Sequence, residues 1–282
     1  MLSNGLQYRW FTENCHEIVL PEGEHLLIDP MLPREDSRLY EGFKSGYTVD
    51  DLERVDYVFI SHIHGDHIDQ LKEVQEKFNP TILINQNNIV PLAKALDLNV
   101  RKMVPLTDYH TYDFGGFKFT PYPGTHVKTI GEMDLSKSYE LFENMTGEKG
   151  QTPKNEAQAF GSCFNTNFML EVSGGIRIAF IQGQYTALTK YEFMHSNPNL
   201  VIRQLSRIDL YPEIFDELVD CLEDTDTGMM AFMCHHHKTK DPQKASSELN
   251  RLQEERGRMA RVFVPEAGRW IRLATSMEFI DN

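Results

Sequence analysis

Side chains that can bind a metal ion are concentrated in the stretch ISHIHGDHID, from position 60 to position 69. The apolar residues at positions 55–60 predict a buried strand that stops at Ser61. Imidazole and carboxylate groups are ligands that zinc, iron and manganese accept, and Gly65 permits a tight bend between them. A histidine-rich surface turn is the alternative, but the location between a strand and a helix favours a metal-binding loop. The potential ligands in this loop are His62, His64, Asp66 and His67.

Strand-like and helix-like segments alternate along most of the chain. Three short runs at positions 7–11, 17–20 and 25–28 predict an antiparallel meander, and the turn Ser173-Gly174-Gly175 predicts a hairpin of residues 165–172 and 176–181. The alternation in both halves predicts an α/β fold in which two sheets pack together with helices outside. The other predicted strands are 81–84, 117–122, 200–202, 229–234 and 261–264, and the predicted helices are 49–54, 70–78, 88–96, 187–195, 213–222 and 243–256.

A long polar segment without clear periodicity lies at positions 127–160. It is long for a connection within a compact domain, and such segments are usually lids or insertions. We therefore expect one domain over residues 1–282, with a lid or an insertion at 127–160.

The charge balance of the chain excludes two classes of partner. There are 28 Lys and Arg residues against 42 Asp and Glu residues, and the formal net charge of −14 repels phosphate backbones and anionic lipid surfaces. The N-terminal residues lack a signal-peptide pattern, no apolar window approaches a transmembrane span, and the four cysteines stand singly as reduced thiols would. We expect a cytoplasmic protein that acts on a small molecule, without nucleic-acid or membrane partners. The sequence is compatible with a monomer and with a homo-oligomer.

The metal-binding loop resembles that of a known family. The letters HIHGDH are an instance of the HxHxDH signature of the metallo-β-lactamase superfamily. The resemblance covers most of the chain. Upstream, Asp29 in LLIDP is similar to the aspartate of the family's first motif, which supports the ligand loop through hydrogen bonds in relatives. The resemblance implies a four-layer αββα sandwich of two mixed sheets with outer helices.

The same resemblance implies the remaining metal ligands. His126 in YPGTH follows a strand where relatives place the third histidine of the first metal site. His235 in FMCHHHKTKDP follows a strand where relatives place the last histidine. His236 is the alternative, because a small or hydroxyl residue often follows this histidine closely in relatives and Thr239 follows His236 at a similar spacing. One or two divalent ions are implied, zinc or manganese, with iron as a further option. The first ion would be bound by His62, His64 and His126, and the second by Asp66, His67 and His235.

One position departs from the family pattern. Relatives carry a Gly-Asp pair whose aspartate bridges the two metals, whereas IAFIQGQYT places Gln184 at the bridging position. A glutamine amide is neutral and offers one weak oxygen donor, so the second metal should be held less tightly. A non-catalytic metal-binding or ligand-sensing protein on the same fold is therefore the alternative to an enzyme.

A closer resemblance is to the L-ascorbate-6-phosphate lactonase-like branch, through DHID, GQYTAL and the paired histidines before a DP-containing helix start. This closer resemblance implies that the substrate is a small anionic lactone, ester or phosphodiester, which a metal-bound hydroxide hydrolyses. Asp66 would orient this hydroxide, and Tyr185 would donate to the substrate or the metal-bound oxygen unless it packs in the core. The candidates for binding the anion are Lys128, Arg203, Arg207 and Lys238.

Overall fold

The strands form one eight-stranded and one seven-stranded sheet. The structure, a computed structural model, describes residues 5–12, 14–32, 46–126, 164–205, 214–234, 242–273 and 277–279. The strands are β1 (Leu6–Thr12), β2 (Cys15–Val19), β3 (His25–Ile28), β4 (Tyr57–Ile60), β5 (Thr81–Asn85), β6 (Met103–Leu106), β7 (Tyr112–Asp113), β8 (Phe117–Gly124), β9 (Asn165–Val172), β10 (Arg177–Gln182), β11 (Leu200–Leu205), β12 (Met229–Cys234), β13 (Arg261–Phe263), β14 (Ile271–Leu273) and β15 (Met277–Phe279). The helices are α1 (Gly65–Ile68), α2 (Leu71–Phe78), α3 (Ile89–Leu96), α4 (Ala187–Phe193), α5 (Ile214–Thr225) and α6 (Pro242–Glu255).

Both sheets are mixed. The first has the order β15-β14-β1-β2-β3-β4-β5-β6, with antiparallel pairs as far as β3 and parallel pairs from β3 to β6. The second has the order β13-β12-β11-β10-β9-β8-β7, with parallel pairs from β10 to β13 and antiparallel pairs from β7 to β10. The predicted α/β sandwich of two mixed sheets is confirmed.

The apolar residues of the strands alternate between two environments, which produces the layers. One cluster lies between the sheets and contains stacked or edge-on contacts of Phe59, Phe168 and Phe180. A second cluster packs α2 and α3 against the outer face of the first sheet, and a third packs α4, α5 and α6 against the outer face of the second. Burial of these alternating apolar side chains supplies most of the driving force for folding.

The carboxyl ends of the parallel strands bring the polar loops together. Asp29 directly follows β3, the histidine loop directly follows β4, and Gln182 ends β10. The two sheets meet at this edge, because the backbone N–H of Thr166 in β9 donates to the carbonyl of Ser61 at 2.9 Å. In open sheets of this kind, ligands bind outside the carboxyl ends of the strands.

Several predicted boundaries differ from the structure. The segment at 49–54 contains a short 3-10 helix, Val49–Asp51, which Thr48 caps. Strand β8 continues through Gly124, whereas the predicted strand 117–122 ended in a turn at Pro123-Gly124, because β8 pairs with β9 over its whole length. The pattern did not predict β6, β7, β14 or β15, which are short.

Three further expectations concern the chain as a whole. The segment 127–160 lies outside the described residues. Among the described helices, none combines the length and the apolar character that crossing a bilayer requires. Cys15 and Cys221 are buried free thiols, as predicted for them.

Candidate metal centre

Three imidazole rings converge where the two sheets meet. One ring nitrogen from each of His62, His64 and His126 lies within 4.8 Å of the others, and the Nε2 of His62 is 3.1 Å from the Nδ1 of His64. Two nitrogens that bind one tetrahedral zinc at about 2.0 Å would be about 3.3 Å apart. His62 is buried and the other two are half-buried, so the cluster is open on one side. The donor set and its spacing fit one divalent cation.

A close backbone approach brings His126 to this cluster. Thr125 forms bridges with Gly183 and Gln184, and the Gln184 N–H donates to the Thr125 carbonyl at 2.9 Å. Gly183 has φ +72°, and a Cβ there would lie 2.1 Å from the Thr125 oxygen. Only glycine fits this position, because the clash would push the segment that carries His126 away from the loop.

Asp29 supports the loop from below. Its carboxylate accepts from the Ser61 N–H at 2.8 Å, from the Ser61 hydroxyl at 2.6 Å and from the Nδ1 of His67 at 2.8 Å. Three donors offset the cost of a fully buried carboxylate. The hydrogen bonds that the resemblance implied for this aspartate are present.

The surroundings of His62 suit a metal ligand. The Ser61 hydroxyl, which donates to Asp29, lies 3.1 Å from the Nδ1 of His62 and can accept a hydrogen bond from Nδ1–H. The Gln182 amide nitrogen lies 3.3 Å from the same ring atom, and the buried Gln182 Oε1 has no hydrogen-bond partner among the residues that the structure describes. Since rotation of the amide would make Oε1 an acceptor for Nδ1–H, both neighbours can leave the Nε2 lone pair for a cation.

A chain of buried side chains runs from His67 into the space between the sheets. The Asn14 amide nitrogen is 3.0 Å from the Nε2 of His67, and the Gln204 amide nitrogen donates to the Asn14 Oδ1. The Gln204 Oε1 is 2.9 Å from the Nε2 of His16, whose Nδ1 is 3.2 Å from the Tyr8 hydroxyl. We call these five residues the amide chain.

Burial determines the charge state of the far end of the amide chain. It lowers the pKa of His16 to about 4, although the hydrogen bond to Gln204 raises it. His16 is therefore neutral near pH 7. One of its ring nitrogens donates a hydrogen bond and the other accepts one. Sequence reasoning missed His16, Asn14, Gln182 and Gln204, and the available signal was a polar side chain within or next to an apolar strand.

Arg203 does not face this centre, so its predicted role in substrate binding is wrong. Its side chain is fully buried on the helix side of β11, where the guanidinium is 3.5 Å from the Glu217 carboxylate of α5 and donates to the Ile181 carbonyl. Alternation along the strand turns Gln204, not Arg203, towards the other sheet.

Tyr185 is a packing residue, the alternative considered for it. Its ring lies in the cluster between the second sheet and its helices, and burial is the main cause that raises the pKa of its hydroxyl. Its backbone N–H donates to Glu217 at 2.9 Å. The predicted catalytic role is therefore not supported.

The glutamine whose side chain meets the histidines is Gln182. Its amide nitrogen lies 3.3 Å from His62 and 3.4 Å from His67, because β10 points alternate residues towards the first sheet. The side chain of Gln184, the predicted bridging residue, forms no hydrogen bond with a residue that the structure describes. A neutral amide thus lies beside the histidines, but it belongs to Gln182 and not to the predicted Gln184.

The remaining predicted site residues lie outside the described part of the chain. Asp66 has a described backbone in α1, but its side chain is not described. The others are Lys128, Arg207, His235, His236 and Lys238.

Comparisons with known proteins show which proteins this chain is similar to. The family model "Metallo-beta-lactamase superfamily" matches residues 8–137. A UPF0173 metal-dependent hydrolase from Koribacter versatilis is 29% identical over 79 residues, which are 28% of this chain and 31% of that protein. The chain therefore matches about a third of the length of this curated relative.

Solved structures extend the likeness to the whole fold. A metallo hydrolase from the archaeon Ignicoccus hospitalis superposes with a TM-score of 0.63 at 14% identity, over 96% of this chain and 99% of that one. An isothiocyanate hydrolase from Delia radicum gut bacteria superposes with a TM-score of 0.60 at 18% identity, over 94% and 97%. The chain thus has the metallo-β-lactamase fold, and residues 8–137 match the model of the metallo-β-lactamase superfamily.

Proposed function

We propose that the protein is a metal-dependent hydrolase whose cation is held by His62, His64 and His126. The observation that carries this proposal is the convergence of three imidazole nitrogens within 4.8 Å at the open edge of the two sheets. The family match and the metal-dependent hydrolase among the relatives support it.

The side chains around the centre would orient the metal ligands and the attacking water. A divalent cation held by His62, His64 and His126 would supply Lewis-acid chemistry for hydrolysis. Ser61 and Asp29 hold the ring of His62 through the hydrogen bonds at its Nδ1 side. Asp66, which begins α1 together with Gly65, is proposed to orient the attacking water, as the resemblance implies.

The proposed substrate is a small anionic lactone, ester or phosphodiester. This class follows from the resemblance to the L-ascorbate-6-phosphate lactonase-like branch. Because Arg203 faces the helices, the candidates that stay for binding the anion are Lys128, Arg207 and Lys238. The isothiocyanate hydrolase of similar fold adds isothiocyanates to the compounds worth testing.

The test combines metal analysis with a substrate panel. Purified protein is loaded with zinc or manganese, with iron as a third arm, and assayed on a lactone, a carboxylic ester, a phosphodiester and an isothiocyanate. We expect His62→Ala to lower metal affinity by on the order of 100-fold or more, with loss of turnover. His110→Ala is the matched control, since His110 is exposed and packs on Tyr112. A His62→Ala protein that retains metal and activity would contradict the proposal.

A second candidate function is a metal-binding sensor without turnover. It is favoured by the neutral amide of Gln182 beside His62 and His67, and by Gln184 at the position where the resemblance implies a bridging aspartate. Bound metal without hydrolysis of any panel compound would support the sensor.

We also propose a cytoplasmic location and a small-molecule partner. The net charge of −14 opposes binding to nucleic acid and to anionic membranes. The buried free thiols of Cys15 and Cys221 are consistent with a reducing compartment. Sedimentation would decide between a monomer and a homo-oligomer.

A further inference from the structure

His67 has protein partners at both ring nitrogens. Its Nδ1 lies 2.8 Å from the Asp29 Oδ2, and its Nε2 lies 3.0 Å from the Asn14 amide nitrogen. The ring is 1% exposed and its centroid lies 3.8 Å from that of His62. It is not in the group of nitrogens that could hold a metal among the described residues.

The direction of these hydrogen bonds follows from donor and acceptor chemistry. An ionised carboxylate only accepts, so a neutral His67 donates from Nδ1 to Asp29 and must accept at Nε2. The donor is the Asn14 amide, whose oxygen accepts in turn from Gln204. Gln204 accepts from the Nε2 of His16. Each member of the amide chain thus donates once in the same direction.

A second cation on the Nε2 of His67 would have to displace the Asn14 amide. That displacement would break a run of matched buried hydrogen bonds, whose members then lack partners. The Gln182 amide, 3.4 Å from the same Nε2, supplies no negative charge to compensate. The described surroundings of His67 therefore do not fit a second divalent cation.

We propose that His67 is a positioning residue and not a metal ligand, and that the protein binds one divalent cation, at His62, His64 and His126. Asn14 and Gln182 occupy the side of His67 on which a second cation would bind. His67 packs against the ring of His62 and anchors it to Asp29. The inference rests on the metal centre of the proposed function and adds the number of ions and the role of His67.

The experiment measures zinc stoichiometry by mass spectrometry and affinity by calorimetric titration with zinc alone. We expect one zinc per wild-type chain, one zinc in His67→Gln with affinity lower by about tenfold, and none in His126→Ala. The double variant Asn14→Asp/Gln182→Asp should bind two, because carboxylates replace the amides beside His67. Gln184→Asp is the matched control and should still bind one.

A second measurement on the wild type avoids dependence on variant folding. The imidazole ¹⁵N resonances of His67 are assigned with His67→Gln and compared without and with zinc. They should show a protonated Nδ1, and the Nε2 resonance should not move to the shift of a zinc-bound nitrogen when zinc is added. Two zinc ions in the wild type with one lost in His67→Gln, or no zinc at all in His67→Gln, would overturn this inference and leave the hydrolase proposal intact. A wild-type protein that binds no metal would overturn both.

Discussion

The two faces of the second sheet bury polar side chains in different ways. On the face towards the first sheet, Gln204 belongs to the amide chain, which consists of neutral groups. On the helix side, the neighbouring Arg203 carries a charge and pairs with Glu217 at 3.5 Å. Two consecutive residues of β11 therefore meet opposite environments, because side chains alternate across a strand.

The difference follows from access to water. The space between the sheets is closed on both sides, so a charge there would lose nearly all its hydration, and matched neutral hydrogen bonds cost least. The helix side lies close to the surface, and the Glu217 side chain is 25% exposed. Neutral hydrogen bonds thus connect Gln204 and His16 to the metal centre, where Asp29 is a buried carboxylate with three donors, whereas Arg203 pairs with a charge on the helix side.

The largest expected effect separates stability from metal binding. We expect Arg203→Met to lower the free energy of unfolding by about 3 to 4 kcal/mol, because Glu217 loses its buried partner. Zinc affinity should stay within twofold, since Arg203 faces away from the histidines. Urea unfolding measures the first quantity and zinc titration the second. Arg261→Met is the control: its ion pair with Glu254 is exposed, and the expected loss is below about 0.5 kcal/mol.

Acid should weaken the face between the sheets through His16. Its folded pKa of about 4 lies below the ordinary 6.5, so folding disfavours the charged ring. The contribution of neutral His16 to the free energy of unfolding is complete above pH 6.5. It is lost as the pH falls towards 4, by at most about 3 kcal/mol. In His16→Gln, the free energy of unfolding should depend less on pH between these values than it does in the wild type. Parallel pH profiles of the two proteins would contradict the assignment.

The opposite pH dependence is expected on the helix side at Glu192 of α4. Burial, together with the charge of Asp108, raises the pKa of this half-buried carboxyl to about 7, against a hydrogen bond from Tyr109. Because the protonated form is favoured, the stabilising contribution is present below pH 4.5 and is lost as the pH rises through 7. After allowance for solvent screening, Glu192→Gln should be more stable than the wild type by about 1 kcal/mol at pH 8. Equal unfolding midpoints at pH 8 would exclude this.

The smallest effect concerns the end of the amide chain that lies farthest from His67. Tyr8→Phe removes the hydroxyl 3.2 Å from the Nδ1 of His16 and should cost about 1 kcal/mol. Zinc stoichiometry should stay unchanged, because His67 keeps its contacts with Asn14 and Asp29. A changed stoichiometry would show that the two ends of the chain are coupled more strongly than its hydrogen bonds suggest.

Much of the fold was predictable because its signals are local. The apolar run of β4, the hairpin of β9 and β10 across Ser173-Gly174-Gly175, and strand β12 follow from short patterns of apolar and turn residues. Strand β14 was not predictable in the same way, because it pairs with β1, which is distant in sequence. Strands β7 and β15 are too short to show a pattern of their own.

Local order also accounts for what was predictable at the site. The spacing of the ligands in HIHGDH requires only a strand end and a tight bend, so those residues were accessible from the sequence. Which polar residues approach them from elsewhere depends on the phase of each strand, and a shift of one residue reverses the face. Only the packing of the two sheets decided that Gln182 and Gln204 turn towards the histidines while Arg203 and Tyr185 turn towards the helices.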